Sequence, residues 1–165
     1  MSAGKGHLDV VHALVAVGAS VDLAKEDGAT PLYISAQEGH LDVVQALLAA
    51  GASVDQEKEN GATPLWISAA EGHLDVVCAL AEADADVSAR LRRSQWSPLI
   101  AAAFNGHTSV VGELVQRGAD PSTRTARILH GVGWNSTARS AAQQRGHADV
   151  VALLSRVMSA GWGSR

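Results

Sequence analysis

Aromatic residues and cysteine are both scarce in this chain of 165 residues. Phe, Trp and Tyr make up only 4% of the sequence, whereas hydrophobic residues as a whole make up 47%. A core built from this sequence must be filled by Ala, Val and Leu, which are small side chains that suit closely packed helices. The single cysteine, Cys78, cannot form an intramolecular disulfide, which argues against an oxidised secreted scaffold.

Long apolar runs are also missing. No stretch approaches the roughly 18 apolar residues that a membrane-spanning helix requires. Residues 1–5 lead into no apolar core of signal-peptide length. The apolar content is nevertheless too high for intrinsic disorder. The sequence therefore predicts a soluble intracellular protein, cytoplasmic or nuclear, with no membrane insertion.

Charged residues make up only 18% of the chain, and the two signs are unevenly distributed. Residues 1–89 contain all three lysines and fourteen of the seventeen acidic residues, which leaves a net charge of −11. Residues 90–165 contain all ten arginines and three acidic residues, a net charge of +7. The chain is therefore electrically bipolar, and this asymmetry bears on its partners.

A short block recurs along the chain at nearly constant spacing. G-H-L-D-V-V begins at Gly6, Gly39 and Gly72, and related blocks begin at Gly106 and Gly146. The successive offsets are 33, 33, 34 and 40 residues. A second block, G-A-T-P-L, begins at Gly28 and Gly61, and W-S-P-L at Trp96 is its third copy. Repetition of this kind predicts a stack of similar supersecondary units.

Each unit predicts a pair of short helices. Thr30 is a hydroxyl N-cap before Pro31, which favours the first position of a helix that runs to Glu38 and ends at Gly39. A second helix is expected from about His40 to Gly51, with its apolar stripe on Val43, Val44, Leu47 and Leu48. Helices this short are not stable alone, so neighbouring units must stack and bury their stripes in one core.

The order of the blocks T-P-L, A-x-x-G-H, V-V-x-x-L-L and G-A-x-V-D resembles the ankyrin repeat, and the resemblance covers nearly the whole chain. It implies an all-α solenoid of stacked antiparallel helix pairs, with a β-turn finger at each junction. We expect a single domain over residues 1–165 with about four and a half repeats. Its expected divisions are a half repeat at 1–27, repeats at 28–60, 61–94 and 95–132, and a terminal repeat at 133–165 preceded by an inserted loop at about 121–134.

The first unit departs from the pattern because it starts at its second helix. Either the chain is cut from a longer array, or this helix frays. The segment 1–20 is therefore predicted to be the least protected part of the fold. At the other end, Gln143 replaces the small residue found at Ala36, Ala69 and Ala103, which suits a terminal repeat with one face in water.

Most of the residues that could support catalysis or bind a metal recur once in each repeat. Five of the seven histidines are the H of the repeated G-H and are one repeat apart, whereas a metal needs ligands that converge. Hydrogen bonding at helix junctions explains them better. Cys78 has no acid–base pair beside it and is interpreted as a passive thiol. The sequence therefore predicts no catalytic activity, no metal and no cofactor.

The resemblance implies binding of another protein through the concave face and the finger tips. Trp, Tyr and Arg are enriched in binding hot spots, and the aromatic residues fall mostly on this variable face. For the residues that share one repeat position (Tyr33, Trp66 and Ile100), packing between repeats is the alternative. The candidate partner-binding residues are Tyr33, Gln37, Glu38, Glu59, Asn60, Trp66, Glu71, Arg93, Trp96, Ile100, Phe104 and Trp134.

Three other functions are weighed against this one. The bipolar charge is compatible with a scaffold that associates with itself, acidic half to basic half. The chain is also compatible with a targeting fragment of a larger enzyme or channel. Arginines interleaved with tryptophans in the C-terminal half suggest nucleic acid as a binding partner. The isoelectric point of about 5.9 and the acidic half argue against that partner.

Overall fold

The computed structural model describes residues 6–126 and 136–161, and within these ranges the chain forms nine helices and no strands. The helices are α1 Leu8–Ala16, α2 Pro31–Glu38, α3 Leu41–Ala49, α4 Pro64–Glu71, α5 Leu74–Glu82, α6 Pro98–Asn105, α7 Thr108–Gln116, α8 Ala138–Arg145 and α9 Ala148–Ser159.

The first helix of each complete pair begins at a hydroxyl residue, as predicted. The Thr30 Oγ1 accepts a hydrogen bond of 3.1 Å from the Tyr33 N–H, and Thr63, Ser97 and Thr137 accept equivalent bonds. Proline follows the cap in α2, α4 and α6. In α8, which has no proline, the Ser140 hydroxyl instead accepts from the Thr137 N–H at 2.8 Å and completes a capping box. Local side-chain chemistry therefore starts all four helices.

A glycine in the left-handed conformation ends each of these first helices. Gly39, for example, has φ of +75°, which lets the chain reverse into α3 within two residues. The second helices end similarly at Gly51 and Gly118. Asp84 takes the same conformation in the intervening unit, with φ of +62°, as expected for an aspartate at a glycine position.

The helices form two parallel rows. First helices pack in the order α2, α4, α6, α8, and second helices in the order α1, α3, α5, α7, α9. Each first helix also packs against the second helix that follows it, so the all-α solenoid is confirmed. The core between the rows consists mainly of Ala, Val and Leu. Its fully buried members include Leu32, Leu65, Leu80, Leu99, Leu114, Leu154, Val43, Val44, Val76, Val77 and Val110.

The turns between helix pairs are joined to each other by backbone hydrogen bonds. The N–H of Glu59 donates to the carbonyl of Asp27 at 3.2 Å. One repeat further on, the N–H of Arg92 donates to the carbonyl of Asn60 at 2.9 Å. Ala126 continues the series with a bond of 3.0 Å to Ser94. Each turn is thus held against the preceding one, and side chains at the turns are carried at a regular spacing.

Helix α1 has no first helix beside it in the described part of the chain. It packs against α3, and Val11 is its one buried residue. Val10 and Leu14 are 41% and 46% exposed, although they belong to its apolar stripe. This helix buries less apolar surface than α3, where Val43, Val44 and Leu47 are all buried.

We expect the backbone amides of α1 to exchange with solvent faster than those of α3. Fewer buried apolar contacts make local opening less costly, so α1 should open without the rest of the array. Hydrogen exchange followed by mass spectrometry or NMR measures this difference directly. The amides of Val43–Leu47 are the internal control, and equal protection of Val11–Val15 would contradict the expectation.

Candidate functional site

Three large aromatic side chains meet on the side of the molecule that carries the first helices. Trp66 lies in α4, Trp96 lies just before α6, and Phe104 lies in α6. The Trp66 Nε1–H donates to the Trp96 carbonyl at 3.1 Å. The rings of Trp96 and Phe104 meet edge to face, with centroids 5.1 Å apart. All three are half-buried, and together they form what we call the aromatic cluster.

Arg145 extends the aromatic cluster toward the last repeat. It is the final residue of α8, and its guanidinium carbon lies 4.8 Å above the centre of the Phe104 ring. This is a cation–π arrangement, which holds the guanidinium in place on the surface. Arg145 is exposed and forms no ion pair within the described ranges. Its charge is therefore positioned but not neutralised.

The indole nitrogen of Trp96 is an unsatisfied donor. Nε1 is shielded from solvent and has no hydrogen-bond acceptor among residues 6–126 and 136–161. A buried N–H without a partner costs about 1–3 kcal/mol. The aromatic cluster therefore contains one polar group whose hydrogen-bonding requirement the described residues do not meet.

Two of the predicted site residues lie in the core. Ile100 is fully buried, and Tyr33 is only 5% exposed. Both occupy the third position of a first helix, and this position faces the neighbouring row of first helices. Their burial favours packing between repeats, the alternative given for this repeat position, over contact with a partner. Trp66, at the same repeat position, is half-buried.

The ring of Tyr33 is covered by a charged pair. The Lys58 Nζ lies 5.0 Å from the ring centre and 2.7 Å from the Asp27 carboxylate. The hydrogen bond from Lys58 lowers the pKa of Asp27, and the backbone N–H of Ala29 lowers it further. Burial, together with the nearby carboxylates of Asp27 and Glu71, raises the pKa of the Tyr33 hydroxyl to about 12. Tyr33 is thus a neutral, enclosed ring.

The charged residues predicted to bind a partner are exposed. Glu38, Glu59 and Glu71 form no ion pair with any described residue, and neither does Arg93. Arg92, by contrast, is paired with Glu57 at 2.9 Å. The free acidic groups lie on α2, α4 and the turn before α4, whereas the free cations lie nearer the C-terminal end. This distribution reproduces the bipolar charge of the sequence on one side of the fold.

Gln37 and Asn60 are exposed, and each takes part in a hydrogen bond, Gln37 through its backbone carbonyl and Asn60 through its side chain. The carbonyl of Gln37 is hydrogen-bonded to His73 at 3.0 Å. The Asn60 Oδ1 accepts from the Ala62 N–H at 3.0 Å, which closes the turn before α4. The remaining candidate, Trp134, and most of the predicted insertion at 121–134 lie outside the described residues.

The repeated histidines lie at the helix junctions, as predicted. His73, His107 and His147 each place Nε2 3.0 Å from a backbone carbonyl of the preceding repeat, that of Gln37, Ala70 and Phe104 respectively. Because a carbonyl oxygen can only accept, Nε2 carries the proton in each ring. Their spacing keeps them apart, and no group of three or more His, Cys, Asp or Glu that could hold a metal occurs among the described residues.

Cys78 is half-buried in α5. Burial raises the pKa of its thiol, and the Glu113 carboxylate raises it further. A thiol with a raised pKa is protonated at neutral pH and is a weak nucleophile.

Among residues 6–126 and 136–161, no helix has the length and apolar character needed to cross a membrane.

Comparison with known proteins identifies the family. No curated protein matches the chain. The family model for ankyrin repeats (3 copies) matches residues 1–91 and, in a second match, residues 54–125. Ankyrin repeats are generally protein–protein interaction modules and are typically not enzymes. The helix pairs, the glycine junctions and this match over more than half of the sequence agree, and the chain belongs to the ankyrin-repeat family.

Proposed function

We propose that this protein binds another protein, without catalysis, through the first-helix side and the adjoining turns. The observation that carries the proposal is the aromatic cluster. Its three large rings remain partly accessible in a fold whose core is filled by Ala, Val and Leu. Partly exposed aromatic residues that touch each other are typical anchors of protein interfaces.

The free charges on either side define the partner further. Glu38, Glu59 and Glu71 lie toward the N-terminal repeats, and Arg93 and Arg145 lie toward the C-terminal ones. A complementary partner has an apolar or aromatic side chain for the aromatic cluster, basic groups on one side and acidic groups on the other. The anchor sets affinity, and the charges set the association rate and the orientation.

Trp96 adds a directional element to this surface. A partner that shifts the Trp96 ring and offers a carbonyl or carboxylate oxygen satisfies the unpaired Nε1–H. Binding then gains a hydrogen bond that Nε1 does not make to any described residue. This favours an extended segment with accessible backbone oxygens as the element that contacts the aromatic cluster.

Self-assembly is the second candidate, favoured by the net charges of −11 and +7 on the two parts of the sequence. Copies that pair acidic half to basic half dissociate when salt screens the charges. Light scattering at low and high ionic strength measures this. A monomer at both salt concentrations leaves binding to a different protein as the function.

Replacing Trp66 with alanine tests the proposal. A partner is first captured with the full chain as bait, and its affinity is then measured by calorimetry. We expect Trp66→Ala to weaken binding by about 2 kcal/mol or more, which is about 30-fold, because it removes a hot-spot side chain. Arg93→Ala should instead slow association and make it less sensitive to salt.

Stability must be measured on the same variants because Trp66 also bonds to the next repeat. Trp66→Phe keeps a ring but removes the donor to Trp96, and so separates the two effects. Leu74→Ala is the control for an exposed apolar side chain on another helix. Unchanged affinity of a destabilised Trp66→Ala variant would show that Trp66 only packs between repeats.

A further inference from the structure

The turns that precede α2, α4 and α6 share their hydrogen bonds but differ in charge. They span residues 25–29, 58–62 and 91–96, and we call them the first, second and third turn. In each turn the N–H of the first residue donates to the carbonyl of the last, at 2.9–3.1 Å. The net charge is −1 in the first turn, zero in the second and +2 in the third. The third turn is therefore the basic member of three equivalent turns.

Ser94 occupies the position in the third turn that Asp27 and Asn60 occupy in the first and second. Each of the three lies three residues before the hydroxyl cap of the helix that follows. The Oδ1 atoms of Asp27 and Asn60 accept from the N–H two residues on, at 3.1 and 3.0 Å. The Ser94 Oγ accepts from the Trp96 N–H in the same way, at 3.4 Å. This position therefore accommodates a carboxylate, an amide or a hydroxyl with the same hydrogen bond.

Arginines surround Ser94 both in the sequence and on the surface. Arg90, Arg92 and Arg93 precede it, and no other serine or threonine of the chain directly follows two consecutive arginines. Arg92, Arg93 and Ser94 also line one open pocket of about 490 Å³, formed by residues of the second and third turns. Ser94 is partly exposed, and Arg93 forms no ion pair with a described residue. The Ser94 hydroxyl thus lies at the surface beside an unpaired guanidinium.

We propose that Ser94 is a phosphorylation site for a protein kinase that selects basic residues before its target serine. Such a kinase recognises its substrate by charge, and three arginines within the four preceding positions complement an acidic substrate groove. In the reaction, the Ser94 Oγ forms a bond to the γ-phosphorus of ATP while the bond from that phosphorus to the ADP oxygen breaks. The hydroxyl proton passes to the catalytic base of the kinase. This chain supplies only the hydroxyl.

A phosphate on Ser94 reverses the charge of the pocket. The charged residues of its lining are Arg92, Arg93 and Glu59, which give a net charge of +1. A phosphoserine adds a charge of about −1.5 to −2 at neutral pH, so the lining becomes negative. The three phosphate oxygens are strong acceptors for the Arg93 guanidinium, which can hold the phosphate against the turn.

The modified residue is also close in sequence to the aromatic cluster. Ser94 lies two residues before Trp96 and bonds to its backbone N–H. A phosphate there weakens the attraction between this side of the molecule and the acidic groups expected on a partner. This consequence rests on the proposed function, whereas the modification itself does not.

Phosphorylation of the full chain in solution tests the inference. The chain is incubated with ATP and a purified serine kinase that selects arginine before its target, and the phosphate is located by tandem mass spectrometry. We expect the phosphate on Ser94. Ser53 and Ser122 are the internal controls, because both are exposed and neither has an arginine in the four preceding positions.

Arg93→Gln tests whether the arginines select the site. We expect phosphorylation of Ser94 to slow about tenfold or more, because the charge directly before the serine is removed. Arg156→Gln, on α9, removes another exposed cation far from Ser94 in the sequence and should change the rate less than about twofold. Neither arginine forms an ion pair with a described residue, so both variants should unfold at the temperature of the parent.

Ser94→Asp and Ser94→Asn form a matched pair for the effect of the charge. Asp27 and Asn60 show that both side chains fit the turn. With the captured partner, Ser94→Asp should slow association about threefold or more at low salt, whereas Ser94→Asn should leave it unchanged. Equal association rates of the two variants would show that charge at Ser94 does not regulate the surface.

Three results would overturn the assignment of the site. A synthetic peptide of residues 86–100 is tested in parallel, and phosphate on the peptide but not on the chain would show that the fold withholds Ser94. Equal rates at Ser94, Ser53 and Ser122 would show that the kinase does not select this site. An unchanged rate in Arg93→Gln would show that its guanidinium plays no part. Because this assay needs no partner, its failure leaves the proposed function intact.

Discussion

Ile100→Ala should lower the free energy of unfolding by about 2–5 kcal/mol, the range measured when large aliphatic side chains are removed from cores. Ile100 is fully buried in α6, between the neighbouring first helices α4 and α8. Because the repeats transmit stability to their neighbours, the loss should appear as a lower midpoint in chemical denaturation of the whole array.

Leu74→Ala is the matched control for this experiment. Leu74 is also aliphatic and helical, but it is 38% exposed, so its removal leaves no enclosed cavity. We expect a loss well below that of Ile100→Ala. If the two variants were equally stable, Ile100 would not be a core residue. Its assignment to the partner-binding surface would then have to be reconsidered.

Gly72→Ala should be more damaging than Gly146→Ala, the same change at an equivalent helix junction. Gly72 has φ of +85°, a conformation that costs an L-residue about 1–2 kcal/mol. A Cβ at this position would also lie 2.5 Å from the Nδ1 of His107. The ring must move away, which adds a packing cost of about 1–3 kcal/mol and disturbs its hydrogen bond to Ala70.

Gly146→Ala separates the two costs. Gly146 has nearly the same backbone conformation, with φ of +80°, but no atom of residues 6–126 or 136–161 lies within 4 Å of its Cβ position. Equilibrium unfolding of both variants should therefore show a larger loss for Gly72→Ala. A double-mutant cycle with His107→Ala measures the coupling. Equal losses at the two glycines would mean that the histidine contact does not constrain the junction.

The framework of the fold could be predicted from the sequence because each of its signals is local. Thr30 before Pro31 starts a helix, Gly39 ends it, and the Val43–Leu48 stripe shows which side is buried. These signals recur every 33 residues or so, and the helices begin and end close to where they indicate. The junction role of His73 and His107 follows from the same repetition.

The exposure of the candidate site residues could not be predicted in this way. Tyr33, Trp66 and Ile100 occupy one repeat position, yet only Trp66 stays half-buried. The difference depends on neighbours that are distant in the sequence, such as Lys58, which covers the ring of Tyr33. A sequence pattern gives the position of a residue but not the size of the side chains that surround it.

The contact that extends the aromatic cluster joins distant parts of the chain. Arg145 reaches Phe104 across the segment where the repeat spacing lengthens to 40 residues, so the repeat pattern does not align the two positions. This contact therefore could not be predicted from the sequence.

The hydrogen bonds that link each turn to the one before it also determine how the protein responds to force. The bonds at Glu59, Arg92 and Ala126 each join only adjacent repeats, and so do the histidine bonds. A load that pulls the two ends apart acts on all the junctions in series, and each junction can give way separately. Each repeat of 33 residues that gives way releases at most about 110–120 Å of chain, so the array can lengthen in steps while the remaining repeats stay folded.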